Sequence, residues 1–244
     1  MSAWPTRTMI IKPIKTRIFE EKENLLSFVT SYFKKIPEKS VVVITSKIVA
    51  LSEGRTAEIE NEKTKEELIR RESDLALRTE HVWLTIKDGV VMASAGIDES
   101  NADGKLILLP RNSFKTAVDL RKKLQKKYKV KNLGVLIVDS RTMPLRAGVV
   151  GSALGYAGFR GIKEYAGSRD LFGRKFKFSR TNVADGLATG AVLTMGEGRE
   201  RQPLVLITGA PIKFSDRISR AELKIDIKND MYRPLFVRFC KTKP

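Results

Sequence analysis

The run Val41-Val42-Val43-Ile44-Thr45, followed by Ser46-Lys47, decides how the fold of this 244-residue chain is built. All five residues of the run are β-branched, and a short segment of this kind predicts a buried strand. Because the run ends in a serine and a lysine, the strand delivers two polar side chains at its C-terminal end. We therefore expect a ligand site at that end of the strand.

An ordinary globular composition is combined with a large excess of positive charge. Hydrophobic residues make up 42% of the chain and aromatic residues 7%, which suffices for one large domain or two small ones. The 46 lysines and arginines outnumber the 28 acidic residues, so the formal charge is +18. Such a charge predicts an anionic partner, with nucleic acid, nucleotide phosphates and a polyanionic product as the candidates.

The densest basic cluster lies between Arg121 and Lys131. It lacks the interleaved aromatic side chains of an RNA-stacking surface, and a solvated helix face is the more common role of such a run. On the sequence alone, nucleic acid is therefore disfavoured as a partner.

Several classes of protein are disfavoured by the same sequence. The single cysteine, Cys240, leaves no internal disulfide and argues against thiol catalysis, and the single histidine argues against His-rich zinc sites. The longest apolar runs are far shorter than the roughly 20 residues of a membrane span. The N-terminal region, interrupted by Pro5 and Pro13, lacks the apolar core of a secretion signal. We expect a cytoplasmic protein without a membrane partner.

Two aspartates follow strand-like segments. The stretch from Val90 to Ser94, entered through an Asp-Gly turn, runs into Ala95-Gly96-Ile97-Asp98-Glu99-Ser100-Asn101, and Leu133 to Val138 is followed by Asp139-Ser140. An aspartate at a strand end is held rigidly and can project into a cleft, where Mg²⁺ or Mn²⁺ takes oxygen ligands. A turn or helix cap is the more common role of either aspartate taken alone.

Two glycine-rich segments are further candidates for ligand contacts, although neither matches a phosphate-binding loop pattern. The segment 148–161 contains five glycines, for which close packing and turns are the favoured role. Met195-Gly196-Glu197-Gly198 follows a helix predicted over Ala184 to Thr194 and precedes a strand predicted over Leu204 to Ile207. Its N–H groups and carboxylate suit a ligand loop, and a helix C-terminal cap at Gly196 is an equally good explanation.

The remaining patterns predict two helices and two strands. The helices are Lys63 to Leu77, beginning after Asn61, and a helix capped by Ser113 that runs to about Tyr128. The strands are His81 to Ile86 and Leu106 to Leu109.

Seven ordered segments carry the strongest signal in the sequence. They are Ser52-Glu53-Gly54-Arg55, Ala95-Gly96-Ile97-Asp98-Glu99-Ser100-Asn101, Leu108-Leu109-Pro110, Asp139-Ser140, Arg146-Ala147-Gly148-Val149-Val150-Gly151, Asp170-Leu171-Phe172-Gly173-Arg174 and Val183-Ala184-Asp185. In this order they resemble the coenzyme F420-0:γ-glutamyl ligase family, and A-G-I-D-x-S-N and D-L-x-G-R are the most specific. We predict a single ligase domain over 1–244, with the resemblance clearest over 41–209.

The resemblance implies a fold and an activity. The fold is an α+β arrangement of mixed sheets with packed helices that forms an intertwined homodimer. The activity is that of an acid–amino-acid ligase that uses GTP, or alternatively ATP. In it the acceptor carboxylate is phosphorylated, and the amine of L-glutamate attacks the acyl phosphate.

The resemblance also implies roles for individual residues, carried over by position. The divalent ion, Mg²⁺ or Mn²⁺, would take its ligands from Asp98, Asp139, Ser140 and Glu197, with Asp98 and Asp139 as the catalytic pair. Nucleotide contacts would come from Ser46, Lys47, Asn101 and the loop Met195 to Gln202, which includes Gly196, Glu197 and Gly198.

Departures from the family pattern surround this core. Leu51 stands where the family has a lysine near the phosphates, and Lys47 is expected to supply the charge instead. The family's acidic D-P-D-x-S-A segment is replaced at 111–117 by a basic and amide-bearing one, and D-[ST]-x-G-R loses its glycine at 139–143. We expect the ligase chemistry to be retained, with changed residues around the metal-binding core and a changed preference for the acceptor.

Three readings of the function follow. The leading one is an enzyme acting on F420-0 or a related anionic carboxylate acceptor, and the second keeps the chemistry but uses a glutamyl peptide or a protein terminus. The third, a nucleic-acid-binding protein without catalysis, is opposed by the retained acidic residues. The candidate acceptor-binding residues are Arg111, Lys115, Arg141 and Arg146.

Overall fold

The structure is a computed structural model that describes residues 8–58 and 61–240, so Pro5 lies outside the described residues. The strands are β1 (Ile10–Ile14), β2 (Ser40–Thr45), β3 (Thr56–Glu58), β4 (Leu75–Arg78), β5 (Trp83–Lys87), β6 (Val90–Ala93), β7 (Lys105–Ile107), β8 (Leu133–Thr142), β9 (Val149–Ala157), β10 (Ile162–Glu164), β11 (Arg180–Asn182) and β12 (Leu204–Thr208). The helices are α1 (Leu25–Tyr32), α2 (Ser46–Ser52), α3 (Glu62–Arg71), α4 (Ser113–Tyr128), α5 (Val183–Met195) and α6 (Arg233–Cys240). Short 3-10 turns occupy Ser94–Gly96 and Ile227–Asn229.

The central sheet has five strands in the order β1-β12-β2-β8-β9. Strands β2 and β8 are parallel, with Ile44 opposite Ile137 and Thr45 opposite Val138, whereas the other neighbouring pairs are antiparallel. Smaller sheets are formed by β4-β5-β6, β3-β7 and β10-β11. Mixed sheets with packed helices confirm the predicted α+β class.

Helices cover both faces of the central sheet, which explains the continuous β-branched run of β2. Alternate residues Val42 and Ile44 join a core cluster with side chains of α1, α2 and α4. Val41 and Val43 point the other way and join a second cluster with α5. A strand that is buried on both faces has no need of polar alternation, so its side chains are apolar throughout.

The parallel pairing of β2 and β8 positions the candidate site. Two parallel strands end at the same edge of a sheet, so the start of α2 lies beside the later residues of β8. The strand β8 is longer than predicted, and Asp139 and Ser140 lie within it, paired with Ser152 and Gly151 of β9. The prediction that the strand ends before Asp139 is therefore wrong, because pairing with β9 extends it.

The helix predicted over Lys63 to Leu77 is too long. The structure has a helix over Glu62–Arg71, and Leu75–Arg78 forms β4, paired with β5. Sheet pairing overrides the helix propensity of these residues. The asparagine Asn61 does cap the helix, since its side chain accepts a hydrogen bond from Thr64 N.

Two smaller predictions have different outcomes: the Ser113 cap is wrong and the Asp-Gly turn is confirmed. The cap of α4 is Asn112, whose side chain accepts from Lys115 N, and Ser113 is the first helical residue. The Asp-Gly hairpin turn is confirmed, because Asp88 and Gly89 have φ angles of 54° and 77°, which fit the tight turn between β5 and β6.

The glycines of β9 allow two helices to approach the sheet closely. A Cβ on Gly151 would lie 2.3 Å from the backbone oxygen of Ala188 in α5, and one on Gly155 would lie 2.4 Å from the backbone carbon of Ser113 in α4. These distances confirm the predicted packing role. Within the described residues, no helix is long and apolar enough to cross a bilayer.

Candidate functional site

The start of α2 and the middle of β8 meet in a short hydrogen bond. Ser46 is buried, and its hydroxyl donates to Oδ1 of Asp139 at 2.8 Å. The two residues are 93 positions apart in the chain. The contact follows from the parallel register, which brings Thr45 beside Val138 and so brings the next residues together.

Asp139 is electrostatically unusual. Burial of its carboxyl group raises its pKa to about 6, the hydrogen bond from Ser46 opposes that rise, and the negative charge of Asp98 adds to it. This carboxyl group therefore sits close enough to Asp98 to sense its charge. A nearby cation would stabilise the ionised form of such a buried carboxylate, whose negative charge has few partners, more than that of an exposed one.

Lys47 ties a second carboxylate to the start of α2. Its Nζ lies 2.8 Å from Oδ2 of Asp98 and donates to the backbone oxygen of Ser100 at 2.7 Å. Burial alone would raise the pKa of Asp98, but Lys47 and the Ser100 N–H bind its carboxylate and leave the pKa below its ordinary value. Asp98 is thus held in its charged form.

A tight backbone holds Asp98 in place. The N–H of Asp98 donates to the oxygen of Ile107, and the N–H of Ile107 donates back, both at 2.9 Å. Ahead of it, Gly96 has a φ of 70° and abuts the side chain of Leu109, so that a Cβ there would lie 2.7 Å from Cγ of that leucine. Only glycine fits such a turn, and the backbone of the A-G-I-D segment therefore fixes the position of its aspartate.

The loop after α5 is the third segment of the site. Ser140 Oγ donates to Glu197 Oε2 at 3.2 Å, and Asn101 Nδ2 donates to the oxygen of Gly198 at 3.3 Å. Segments near residues 46, 98, 139 and 197 are therefore linked at one edge of the central sheet. Gly196 caps α5 with a φ of 79°, which confirms the helix-cap interpretation of this glycine, while a ligand role of the loop stays a prediction.

Comparison with known proteins is decisive at this stage. The family model described as F420-0:γ-glutamyl ligase matches residues 13–209. The chain belongs to this family. The resemblance that the sequence motifs indicated is thereby confirmed.

Curated relatives of this family match most of the chain. The coenzyme F420:L-glutamate ligase of Methanococcus maripaludis strain C7 is 32% identical over 216 residues, covering 81% of this chain and 86% of that protein. The protein of the same name from strain C6 is 31% identical, with coverage of 87% and 92%. That of Methanothermobacter thermautotrophicus strain Delta H is 36% identical, with coverage of 70% and 75%. Family membership supports an enzyme of the glutamate-ligase class.

The residues that the family resemblance nominates for a divalent ion have suitable chemistry. Carboxylates and a hydroxyl are the hard oxygen donors that Mg²⁺ and Mn²⁺ prefer. Asp139 and Ser140 are consecutive, Glu197 contacts Ser140, and Asp98 acts electrostatically on Asp139. Within residues 8–58 and 61–240, no three His, Cys, Asp or Glu side chains are already gathered closely enough to hold an ion. The donor types suit such an ion, but they are not assembled around one, and Asp98 would have to exchange Lys47 for it.

The candidate acceptor cations are dispersed. Arg141 Nη2 lies 3.2 Å from Asp185 Oδ2, and Lys115 Nζ lies 2.9 Å from Asp119 Oδ2 one turn along α4. Arg146 is exposed in the connection between β8 and β9. Among the described residues, no hydrogen bond or ion pair joins these three residues to one another or to Asp98 or Asp139.

Arg111 lies at the far end of α2 from the site. Its backbone N–H donates to Oε2 of Glu53, the residue that ends α2, at 2.7 Å. The seven residues of α2 separate that end from Ser46 by about 10 Å. Arg111 therefore flanks the site at a distance.

Two residues in contact with the site were not singled out from the sequence: Ser100, and Glu200 within the predicted nucleotide loop Met195 to Gln202. Ser100 accepts from Lys47 through its backbone oxygen and also through Oγ, at 3.2 Å. Glu200 folds back over the glycine loop, and its Oε2 accepts from the N–H of Gly198 at 2.8 Å. Met195, by contrast, is buried in the core beneath the loop. Two features of the sequence could have indicated these residues. Ser100 is a polar residue two positions after Asp98, and Glu200 is an acid near a glycine-rich loop.

Proposed function

We propose that this chain is a nucleotide- and divalent-metal-dependent ligase that joins L-glutamate by an amide bond to the carboxylate of an anionic acceptor. The observation that carries the proposal is the pairing of Ser46 with Asp139 and of Lys47 with Asp98, at 2.8 Å each, at the end of β2. A nucleophilic transfer of phosphate needs cationic and carboxylate groups at one place, and this edge of the sheet supplies both.

The proposed reaction has two steps. An oxygen of the acceptor carboxylate attacks the terminal phosphorus of GTP or ATP, and the nucleoside diphosphate leaves as the acyl phosphate forms. The amine nitrogen of glutamate then attacks the acyl carbon, loses its proton, and displaces phosphate to give the amide. Family membership supports this course for the chain.

Individual residues have distinct tasks in this proposal. The ammonium of Lys47 moves from Asp98 to the phosphate oxygens, and N–H groups of the 195–202 loop bind the same nucleotide, with Asn101 holding the loop through Gly198. Mg²⁺ or Mn²⁺, held by Asp98, Asp139, Ser140 and Glu197, would supply the positive charge that offsets the phosphates. Ser46 keeps the carboxylate of Asp139 oriented.

The proposal includes a homodimer in the cytoplasm, where the nucleotide is available. Support for self-association comes from large apolar side chains left open to solvent. Leu145 is 104% exposed, Leu171 98% and Phe172 95%. Exposed apolar side chains of this size are typical of a surface that a partner covers. Two of the three lie in the D-L-x-G-R family segment.

Two acceptors are candidates, and one observation favours an acceptor other than F420-0. The segment 111–117, which is acidic in the family pattern, is basic and amide-bearing in this chain. A changed acceptor-side segment favours a changed acceptor, such as a glutamyl peptide or protein terminus, which carries carboxylates without a phosphodiester.

The experiment is product analysis by mass spectrometry. The protein is incubated with glutamate, Mg²⁺ or Mn²⁺, GTP or ATP, and in separate reactions with F420-0, oligoglutamate and a glutamyl peptide. A product heavier than one acceptor by one or more glutamate residues, formed only with nucleotide, supports the proposal and names the acceptor. Nucleotide cleavage and product both absent across the panel would refute it.

A further inference from the structure

The lysines of α4 form a one-sided array. Lys122, Lys123, Lys126 and Lys127 are exposed and recur at helical spacing, so they share one face. The opposite face carries buried residues such as Leu124. Most of the other charged groups of α4 are engaged elsewhere: Arg121 pairs with Asp216, at 2.7 Å, and Lys115 with Asp119, at 2.9 Å.

A second lysine group, remote in sequence, lies against the C-terminal end of this array. Lys34, Lys35 and Lys39 are exposed in the connection between α1 and β2. The hydroxyl of Tyr128, the last residue of α4, donates to the oxygen of Phe33, and Lys39 N donates to the oxygen of Asn132 at 2.8 Å. Two more exposed lysines, Lys129 and Lys131, lie between the groups. We call these nine residues the lysine face.

Few negative charges offset the lysine face. Asp119 pairs with Lys115 at 2.9 Å, and the nearby charges of Lys122 and Lys123 also lower its pKa. Glu38 is the acid within the 34–39 connection, and its carboxylate already accepts from the N–H groups of Lys131 and Asn132, at 2.9 and 2.6 Å. The C-terminal end of α4 contributes only about half a negative charge. Nine ammonium groups therefore repel one another unless an external anion is present.

The lysine face lies at the opposite end of the sheet from the candidate site. Lys39 and Asn132 directly precede β2 and β8, whereas Ser46 and Asp139 lie at the other ends of these parallel strands. The six residues of β2 span about 20 Å. At physiological salt, exposed charges interact over about 8 Å, so the lysines at the 34–39 end of the face do not act on a substrate at the site. Lys123, at the other end of the face, lines a cavity with Glu53 at the far end of α2.

The composition of the lysine face indicates what it binds. The arginine within α4, Arg121, is engaged by Asp216, and the aromatic rings near these lysines, Tyr32 and Tyr128, are both partly covered, which disfavours base reading and stacking. The segments 31–39 and 119–132 contain none of the exposed large apolar side chains that an amphipathic membrane-surface helix uses. Protein interfaces are depleted in lysine. Rows of ammonium groups alone match the phosphates of a nucleic-acid duplex.

We propose that the lysine face is a second binding surface, independent of the ligase site, that binds the phosphate backbone of a nucleic-acid duplex without sequence preference. About six of the nine lysines reach phosphates at once, because a convex surface cannot present all of them to one duplex. The inference does not depend on the proposed ligase function.

The test measures binding of the full chain to 25-base-pair duplexes of DNA and of RNA by fluorescence anisotropy, between 50 and 250 mM KCl. A dissociation constant on the order of 10 μM at 50 mM KCl is expected, with a slope of log K against log salt of about −5 for DNA. The ratio of RNA to DNA affinity identifies which duplex is preferred. Binding weaker than about 100 μM to both duplexes at 50 mM KCl would overturn the proposal.

Lysine variants locate the surface, and the control changes the net charge by the same four units as the first variant. Replacing Lys122, Lys123, Lys126 and Lys127 by Gln should weaken binding about 30-fold or more and reduce the slope by about 3. A second variant, with Lys34, Lys35 and Lys39 replaced by Gln, should act in the same direction and guards against misfolding of the first. The control replaces four exposed lysines elsewhere, Lys63, Lys175, Lys177 and Lys228. If the control weakens binding as much, the effect is one of net charge and the proposal fails.

Competing polyanions complete the test. Vesicles containing phosphatidylserine, or oligoglutamate at equal charge concentration, should displace the duplex at least tenfold less effectively than unlabelled duplex. Preferential binding of either competitor through the same lysines would refute the assignment to nucleic acid. Ligase or nucleotide-cleavage activity should be equal in the wild type and both lysine variants, because none of the replaced lysines pairs with Ser46, Lys47, Asp98 or Asp139 among the described residues.

Discussion

Replacing Gly151 with alanine should destabilise the protein strongly, because the backbone of α5 occupies the space that the new methyl group needs. A Cβ at this position would lie 2.3 Å from the oxygen and 2.6 Å from the carbonyl carbon of Ala188, and 2.8 Å from Cγ2 of Val192. The first two atoms are backbone, so no rotamer change relieves the overlap. The helix must move by about 1 Å or β9 must distort, and overpacking of this kind costs about 3 kcal/mol.

The same substitution should also reduce activity. Gly151 is paired with Ser140 in the sheet, and its oxygen accepts a hydrogen bond from Thr189 Oγ1 at 2.9 Å. A shift of β9 is therefore passed directly to the segment that holds Asp139 and Ser140. The matched control is Gly186→Ala on α5 itself, because nothing lies within 4 Å of a Cβ there. That change should stabilise the helix by about 1 kcal/mol.

Thermal unfolding followed by circular dichroism measures both variants. For a chain of this length, about 3 kcal/mol lowers the midpoint by about 6–12 °C, and the control should raise it by about 2–4 °C. A Gly151→Ala midpoint within about 1 °C of the wild type would refute the reasoning, since it would mean that α5 does not press on β9. A control that destabilises equally would show that α5 tolerates no added methyl group.

The remaining predictions concern the site. Asp98→Asn and Asp139→Asn should each reduce nucleotide cleavage at least 100-fold with the circular dichroism spectrum unchanged, and near-normal turnover at saturating Mg²⁺ would exclude them as ligands. Lys47→Ala should raise the nucleotide KM about tenfold or more while Lys126→Ala leaves it unchanged, and equal effects would mean that only general charge matters. The pKa of Asp139 is raised to about 6, so the neutral carboxyl group contributes to the free energy of unfolding of the metal-free protein below pH 6. That contribution to stability is lost as the pH rises through 6. Cation binding needs the ionised form, so the rise in melting temperature caused by Mg²⁺ should shrink below pH 6, and Asp139→Asn should abolish that rise.

Local patterns in the sequence were sufficient for about half of the strands and helices. The β-branched run of β2, the Asp-Gly turn before β6 and the helix over Ser113–Tyr128 depend on interactions between near neighbours, and all three are present. Errors arose where partners distant in sequence decide the structure. Leu75–Arg78 has a helical composition yet pairs with β5, and β8 continues past Asp139 because β9 lies beside it.

The sequence by itself determined the family, the α+β class and the identity of the candidate site residues, because motifs and periodicity are properties of short segments. Only the tertiary structure decided which of those residues meet. The register of β2 and β8 places Ser46 on Asp139, whereas the backbone of Arg111 contacts Glu53 at the far end of α2 and Lys115 pairs with Asp119. It also gathered lysines from 34–39 and 122–131 into one face, which the sequence presents as separate runs. Electrostatic repulsion and attraction depend on distances in space, and a chain brings remote charges together only when it folds.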